Sequence, residues 1–150
     1  MKNFIALILP GLILLSACLS QEPSEIQLHT DECTYCKMVI SDTQFAAQLV
    51  SDKGKAYKFD SIECMAAFTH QNPEIAENAK LYLSDYTQNK SWMLLENASV
   101  YHSEDVQSPM GLSLFAIPSD TTLPGPLSGA EQQEWDQTVD FVLNQWNGQQ

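Results

Sequence analysis

Tyr57-Lys58-Phe59-Asp60-Ser61-Ile62-Glu63-Cys64-Met65 marks the point where one kind of order in the chain gives way to another. Upstream, Phe45 to Val50 and Ala56 to Phe59 flank Ser51-Asp52-Lys53-Gly54-Lys55. Two short apolar segments around a turn with Gly at a left-handed position predict a β-hairpin. Downstream, Asp60 has the carboxylate of a helix cap, and Glu63 follows three residues later, as in a capping box. Ile62, Met65, Ala66 and Thr69 then form one face of a helix running to about Gln71. Cys64 and Phe68, four residues apart, share an adjacent face. A hairpin feeding directly into a helix that carries a cysteine is the unit around which the fold is built.

That cysteine has companions. Cys33-Thr34-Tyr35-Cys36-Lys37-Met38 places two thiols and a thioether within six residues, just ahead of the hairpin. Thiolate and thioether sulfur are soft donors that together favour Cu(I), with Zn(II) or an iron–sulfur cluster open to the thiols alone. A bare C-x-x-C also serves redox motifs and plain disulfides. A turn of Cys64 beyond the second hairpin strand lets it face the loop that holds Cys33 and Cys36.

Further along, Asn72-Pro73 opens a short helix over residues 73–79, Pro73 taking a first helical position. Leu81 to Tyr86 and Trp92 to Leu95 read as strands around a Gln88-Asn89-Lys90 turn. Asn97 to His102 is a weaker strand, and Ser108-Pro109-Met110-Gly111 is a loop before a strand over Leu112 to Ile117. Pro118 to Gly129 is rich in Pro, Gly, Ser and Thr and reads as a linker. A last helix spans residues 130–146, with Ser128 and Glu131 as a second capping box and Trp135, Val139, Val142 and Trp146 on one stripe. Such a stripe serves either to cover the core or to bind a partner; covering the core is the expectation.

The N-terminus reads as a leader. Lys2 gives a positive start, and Phe4 to Leu15 is an apolar run too short for a comfortable membrane span. It ends in Leu15-Ser16-Ala17-Cys18, which resembles the bacterial lipoprotein box and implies cleavage before a lipidated Cys18. Residue 19 is Leu, not Asp, which for a Gram-negative host points to a periplasm-facing anchor in the outer membrane. Leu19 to Glu32, polar and interrupted by Pro23, reads as a tether. Lipidation of Cys18 leaves Cys33, Cys36 and Cys64, an odd number in an oxidising compartment, which argues for a reactive or metal-bound thiol over a disulfide scaffold. The net charge is −12 and becomes −13 without Lys2, and there is no Arg. Such a balance excludes nucleic-acid binding, which needs cations to displace counterions from phosphate.

Taken in order, the lipobox, Cys33-x-x-Cys36-x-Met38, Phe45-Ala46-Ala47, Tyr57-x-Phe59-Asp60-x-Ile62-x-Cys64-Met65, Tyr82-x-x-x-Tyr86, Trp92, Ala98 and Pro109-Met110-Gly111 resemble the NosL family. The resemblance covers Cys33 to about Pro118. It implies an accessory lipoprotein, not an enzyme, that binds Cu(I) and delivers it for the catalytic copper–sulfide centre of nitrous oxide reductase. Its partners would be apo nitrous oxide reductase and a membrane assembly complex of ABC type. The implied fold is α+β: two small ββα-like lobes with antiparallel strands, similar to a part of organomercurial lyase, here with a C-terminal helix. The chain then divides into a signal peptide (1–17), a lipidated tether (18–32), a copper-binding domain (33–118), a linker (119–129) and the helix (130–146). Many family members have Gly where Lys37 stands, so this chain puts a cation beside the site. The C-terminal helix is not carried over from the family.

The foremost candidate ligands are Cys33, Cys36 and Met110, the last because a Pro-Met-Gly loop is an unusual place for a core-filling Met. Met38, Cys64 and His102 follow, with His29 as a further imidazole. Asp60 is assigned to its helix cap and His70 to the helix dipole. Two other classes stay open: a thiol–disulfide oxidoreductase using Cys33 and Cys36, and a lyase that sets thiols beside an acid.

Overall fold

In the computed structural model, which describes residues 20–88 and 91–148, the hairpin and the helix are present as read. Strands β1 (Ala47–Val50) and β2 (Ala56–Phe59) pair antiparallel. Gly54 sits at φ +73°, in the left-handed region that the turn requires. Helix α1 (Ile62–Gln71) follows, then the single turn α2 (Pro73–Ala76) with Pro at its start. Strand β3 (Lys80–Ser84) returns beside β1, and β4 (Trp92–Leu94) pairs outside it, giving the order β2-β1-β3-β4. The second sheet is built on β5 (Ala98–His102), with β6 (Leu114–Pro118) on one side and β7 (Glu131–Gln133) on the other. Helix α3 (Trp135–Asn147) closes the chain. The architecture is α+β, two antiparallel sheets with a C-terminal helix.

The two sheets share a core. Leu49, Phe59, Ile62, Met65 and Leu83 of the first pack together with Val100, Leu114 and Ala116 of the second and Val142 of α3. Residues of β6 alternate between this core and a smaller cluster, where Phe115 and Ile117 meet Val106 and Leu127. Helix α1 is buried from Ile62 to Thr69, wider than a one-faced helix, because α3 packs on the side that the first sheet does not cover. The stripe of α3 thus covers the core.

Three expectations are corrected. Asp60 does not cap α1: Ser61 does, its hydroxyl accepting the Cys64 amide at 3.3 Å, which leaves the Asp60 carboxylate free for other partners. The last helix begins at Trp135, not at 130. Glu131–Gln133 pair with β5 as a polar edge strand, and the capping box is Glu134 with Gln137. The segment 119–129 contains a 3₁₀ turn (Gly125–Leu127) that seats Leu127 in the second cluster, so it is more than a linker.

The tether is corrected as well from Gln21 onward; the leader and Cys18 lie outside the described residues. Gln48, Lys58 and Tyr82 stand side by side on the face of the first sheet away from α1, in register across β1, β2 and β3. Each grips the segment before Cys33. Gln48, fully buried, accepts from the Ser24 amide (2.9 Å) and donates to the Ser24 carbonyl (2.8 Å). The Tyr82 hydroxyl donates to the Gln21 carbonyl at 2.8 Å. The Lys58 ammonium donates to the Glu25 carbonyl and pairs with Asp31, both at 2.6 Å, and this holds the Asp31 carboxyl below its usual range. Replacing Gln48 by Ala strands a buried amide and is expected to cost about 1–3 kcal/mol. A urea titration measures the loss, and limited proteolysis should find new cleavage between Gln21 and Leu28.

Candidate metal centre

The loop that carries the first two cysteines is itself a small closed turn. Glu32 and Val39 form an isolated antiparallel bridge. Inside it the Cys33 amide donates to the Met38 carbonyl (2.8 Å) and the Lys37 amide to the Cys33 carbonyl (3.0 Å). The Thr34 amide donates to the Lys58 carbonyl at 2.7 Å, fastening the loop to β2. Lys37 closes the turn at φ +65°, the left-handed region that glycine occupies without strain. In this chain the Lys37 ammonium reaches back to the Thr34 carbonyl at 2.6 Å.

The fastening at Lys58 sets the loop beside the β2–α1 junction. Cys33, Cys36, Asp60 and Cys64 offer three sulfurs and a carboxylate oxygen, all within 4.8 Å of one another. All three thiols are unbridged. Cys33 and Cys64 are fully buried, Asp60 is 4% exposed, and Cys36 alone is half-buried. Tetrahedral coordination with metal–sulfur bonds near 2.3 Å needs sulfurs about 3.8 Å apart, so the cluster is within roughly an ångström of closing on an ion. One Asp60 oxygen, Oδ1, is buried without a partner, while Oδ2 accepts from the Cys36 thiol at 3.5 Å. The donor set is that of a soft-metal site.

The electrostatics make the sulfurs unequal. The Cys64 thiol donates to the Cys33 sulfur, as do the backbone amides of Asp60 and Cys36, and together they lower the Cys33 thiol to about 6 against the cost of burial. Cys36 is pushed up to about 11, chiefly by burial and then by its anionic neighbours. Cys64 is raised further, first because it gives its hydrogen to Cys33 and then by burial. Of the three sulfurs, Cys33 is therefore the one that most readily holds the thiolate charge, while Cys36 and Cys64 favour the thiol.

The other expected ligands are not among these four residues. Met38 uses its backbone to close the loop, while its side chain is 49% exposed beside an equally exposed Val39. His102 lies on β5 with its ring 5.1 Å from that of Phe141, in a groove with Glu104, Asp105 and Glu131. His29 is exposed in a turn at φ +62°. Neither histidine belongs to the four-residue cluster. Met110 is half-buried against the main core. Its loop is tied to α1, since the Ser108 hydroxyl donates to the fully buried Glu63, whose carboxyl burial holds above its usual range. The Ser113 amide donates in turn to the Ser108 hydroxyl at 2.9 Å. Asp60 is the residue that sequence reasoning missed. The signal was Ser61, three residues before Cys64 and a good cap in its own right.

The inequality is open to test. Thiolate absorbance near 240 nm in the reduced, metal-free protein should rise by one thiolate around pH 6 and by a second near pH 11. Because Cys33 binds its proton more weakly when folded, its share of stability is present above the unfolded value near 9 and fades as pH falls toward 6. Cys36 works the other way, weakening the fold as pH climbs past 9. Cys33→Ser should remove the lower step and leave no thiolate at pH 7.

The NosL family model matches residues 25–121, which takes in the docked segment from Glu25, the cysteine loop, α1, the first sheet, and β5 and β6 of the second. Among solved structures, the fold is similar to the crystal structure of the copper chaperone NosL from Shewanella denitrificans, with a TM-score of 0.64 and 16% identity. That likeness covers 78% of this chain and 95% of the other. No curated protein sequence matches. On the family match, over well more than half of its length, the chain belongs to the NosL family.

Proposed function

We propose that this protein is a membrane-anchored Cu(I) chaperone that gathers copper on its cysteine cluster and delivers it for the catalytic copper–sulfide centre of nitrous oxide reductase. One observation carries the reading: three unbridged thiols, brought from two separate stretches of chain, converge with only Cys36 near the surface. The similar fold of the S. denitrificans copper chaperone supports it.

Copper is the cargo. Cu(I) prefers sulfur to carboxylate oxygen, so Cys33, Cys36 and Cys64 are its ligands here, with Met110 as the thioether that loop 108–111 supplies. An arriving ion meets the Cys36 sulfur first and then the Cys33 thiolate, which needs no deprotonation at neutral pH. As Cys36 and Cys64 bind, their two thiol protons are lost to solvent, the Cys36 proton by way of the existing hydrogen bond to Asp60 Oδ2. Asp60 thus serves as a relay at the outer thiol. Delivery reverses the order: a client's soft ligand replaces Cys36, which regains a proton from solvent by the same path. Asp60 would instead be a direct ligand for Zn(II), and the two metals are separated by this difference.

The arrangement weighs against a thiol–disulfide oxidoreductase. Attack on an external disulfide needs an exposed, low-pKa sulfur. Here the low-pKa sulfur, Cys33, is fully buried, and the accessible Cys36 is raised. The anchor rests on the lipobox ending at Cys18, the periplasm-facing, outer-membrane location on Leu19 following it in a Gram-negative host, and the partners on the family resemblance.

Anaerobic titration with Cu(I) against a chromophoric chelator should give one ion per chain. Cys33→Ser, Cys36→Ser and Cys64→Ser should each weaken binding about 100-fold, near 3 kcal/mol, and Met110→Ala by about tenfold. X-ray absorption on the loaded protein should count sulfur neighbours and no imidazole. Wild-type affinity in a Cys33→Ser/Cys36→Ser/Met110→Ala variant would sink the proposal. Affinity should also rise with pH, because two thiol protons leave as copper enters. In cells, Cys18→Ala should move the protein from the membrane to the soluble fraction.

A further inference from the structure

Helix α3 lies beyond residues 25–121, yet it reaches the metal loop. Trp146, near its C-terminal end, stacks on Tyr35, with ring centroids 5.6 Å apart and planes 12° from parallel. Tyr35 stands between Thr34 and Cys36, at the crest of the loop. Its hydroxyl accepts from the Gln71 side chain at 3.2 Å, at the C-terminal end of α1. The loop is therefore fastened in two ways. Backbone hydrogen bonds hold it at Cys33, Thr34 and Lys37. At the crest, the fastening is the Tyr35 side chain, held between the ends of two helices that pack on each other.

The position of this second fastening matters for exchange. Cys33 and Cys64 are fully buried, so an ion can enter or leave only past the half-buried Cys36, the residue next to Tyr35. Moving Cys36 outward drags Tyr35 off the indole face of Trp146. We propose that Trp146 is a positioning residue for metal exchange: through Tyr35 it holds the crest of the Cys33–Cys36 loop shut and slows release of the bound ion. The inference rests on the Cu(I)-binding reading of the cluster. It gives α3 a role at the site and makes release dependent on a contact that a docking client can disturb at the protein surface.

Stopped-flow release of Cu(I) from the full, loaded chain into excess bathocuproine disulfonate tests it. Trp146→Ala should release copper about 3- to 10-fold faster, the range that an aromatic pair supports. Trp146→Phe, which keeps a stacking ring, should restore most of the wild-type rate. Tyr35→Leu should accelerate release to the same degree, and the double variant Tyr35→Leu/Trp146→Ala should be no faster than either single one, since both remove one contact. Wild-type release from Trp146→Ala, or multiplying effects in the double variant, would overturn the proposal. Should Trp146→Ala fail to fold, Tyr35→Leu decides alone: faster release supports the clamp and an unchanged rate refutes it. A wild-type chain that takes up no Cu(I) would instead overturn the binding reading beneath it, a result distinct from copper bound and released at an unaltered rate.

Discussion

The hydrogen bond from the Thr34 amide to the Lys58 carbonyl is the constraint on which the site depends. β2 ends one residue after Lys58, and Asp60, Ser61 and α1 follow at once. Fastening the cysteine loop to the end of β2 therefore sets Cys33 opposite the first turn of α1, where Cys64 projects. The Asp60 amide there, with the Cys36 amide of the loop, gives the Cys33 sulfur hydrogen bonds that favour its anionic form in a fully buried position. A buried charge is costly unless it is paired and hydrogen-bonded, and this one is served by two amides and a thiol. Lys58 does more than accept at its carbonyl. Its ammonium holds Glu25 and Asp31, so the same residue secures the chain entering the loop.

Much of the fold was legible because its signals are local. The turn at Gly54, the apolar segments on either side of it, Pro73 at the start of a short helix and the stripe of α3 all act within a few residues. What escaped depends on contacts across the chain. Gln48, Lys58 and Tyr82 alternate with apolar neighbours along their strands, and nothing local tells what covers their face. The structure covers that face with residues 21–31, whose own polarity read as a free tether. Apart from the Lys58–Asp31 pair and the Ser24 hydroxyl, their hydrogen bonds are to backbone groups of the segment, which leave no mark in its composition. β7 escaped likewise: Glu131-Gln132-Gln133 has no strand propensity and is held by pairing with β5.

The site was half legible. Soft donors at close spacing pointed to the loop, and an odd cysteine count in the mature chain pointed away from a disulfide. Asp60 was hidden by a competition between two cap candidates one residue apart. Ser61 won it, since its hydroxyl reaches the Cys64 amide, and the winner released a carboxylate into the cluster. Met38 was misleading for a related reason. Two residues past a cysteine looks close in sequence, but the left-handed turn at Lys37 sends the chain back toward Val39 and leaves the Met38 side chain outward.

The order of burial within the cluster bears on how a carrier can bind a metal well and still give it up. Four equivalent, closed thiolates would hold an ion tightly and exchange it slowly. Here the donors are graded: two sulfurs fully buried and one half-exposed, with the Asp60 carboxylate hydrogen-bonded to the outermost thiol. On the proposed reading, replacement of Cys36 would need no opening of the core, because the buried pair would continue to hold the ion while a client ligand took the outer place. The cost of that step would lie in moving the loop crest, where backbone hydrogen bonding gives way to the Tyr35 side chain, stacked on Trp146 and hydrogen-bonded to Gln71. Affinity and exchange are thereby governed by different residues. The β2–α1 junction governs how firmly copper is held, and the contact between Tyr35 and α3 governs how readily its outer ligand can move.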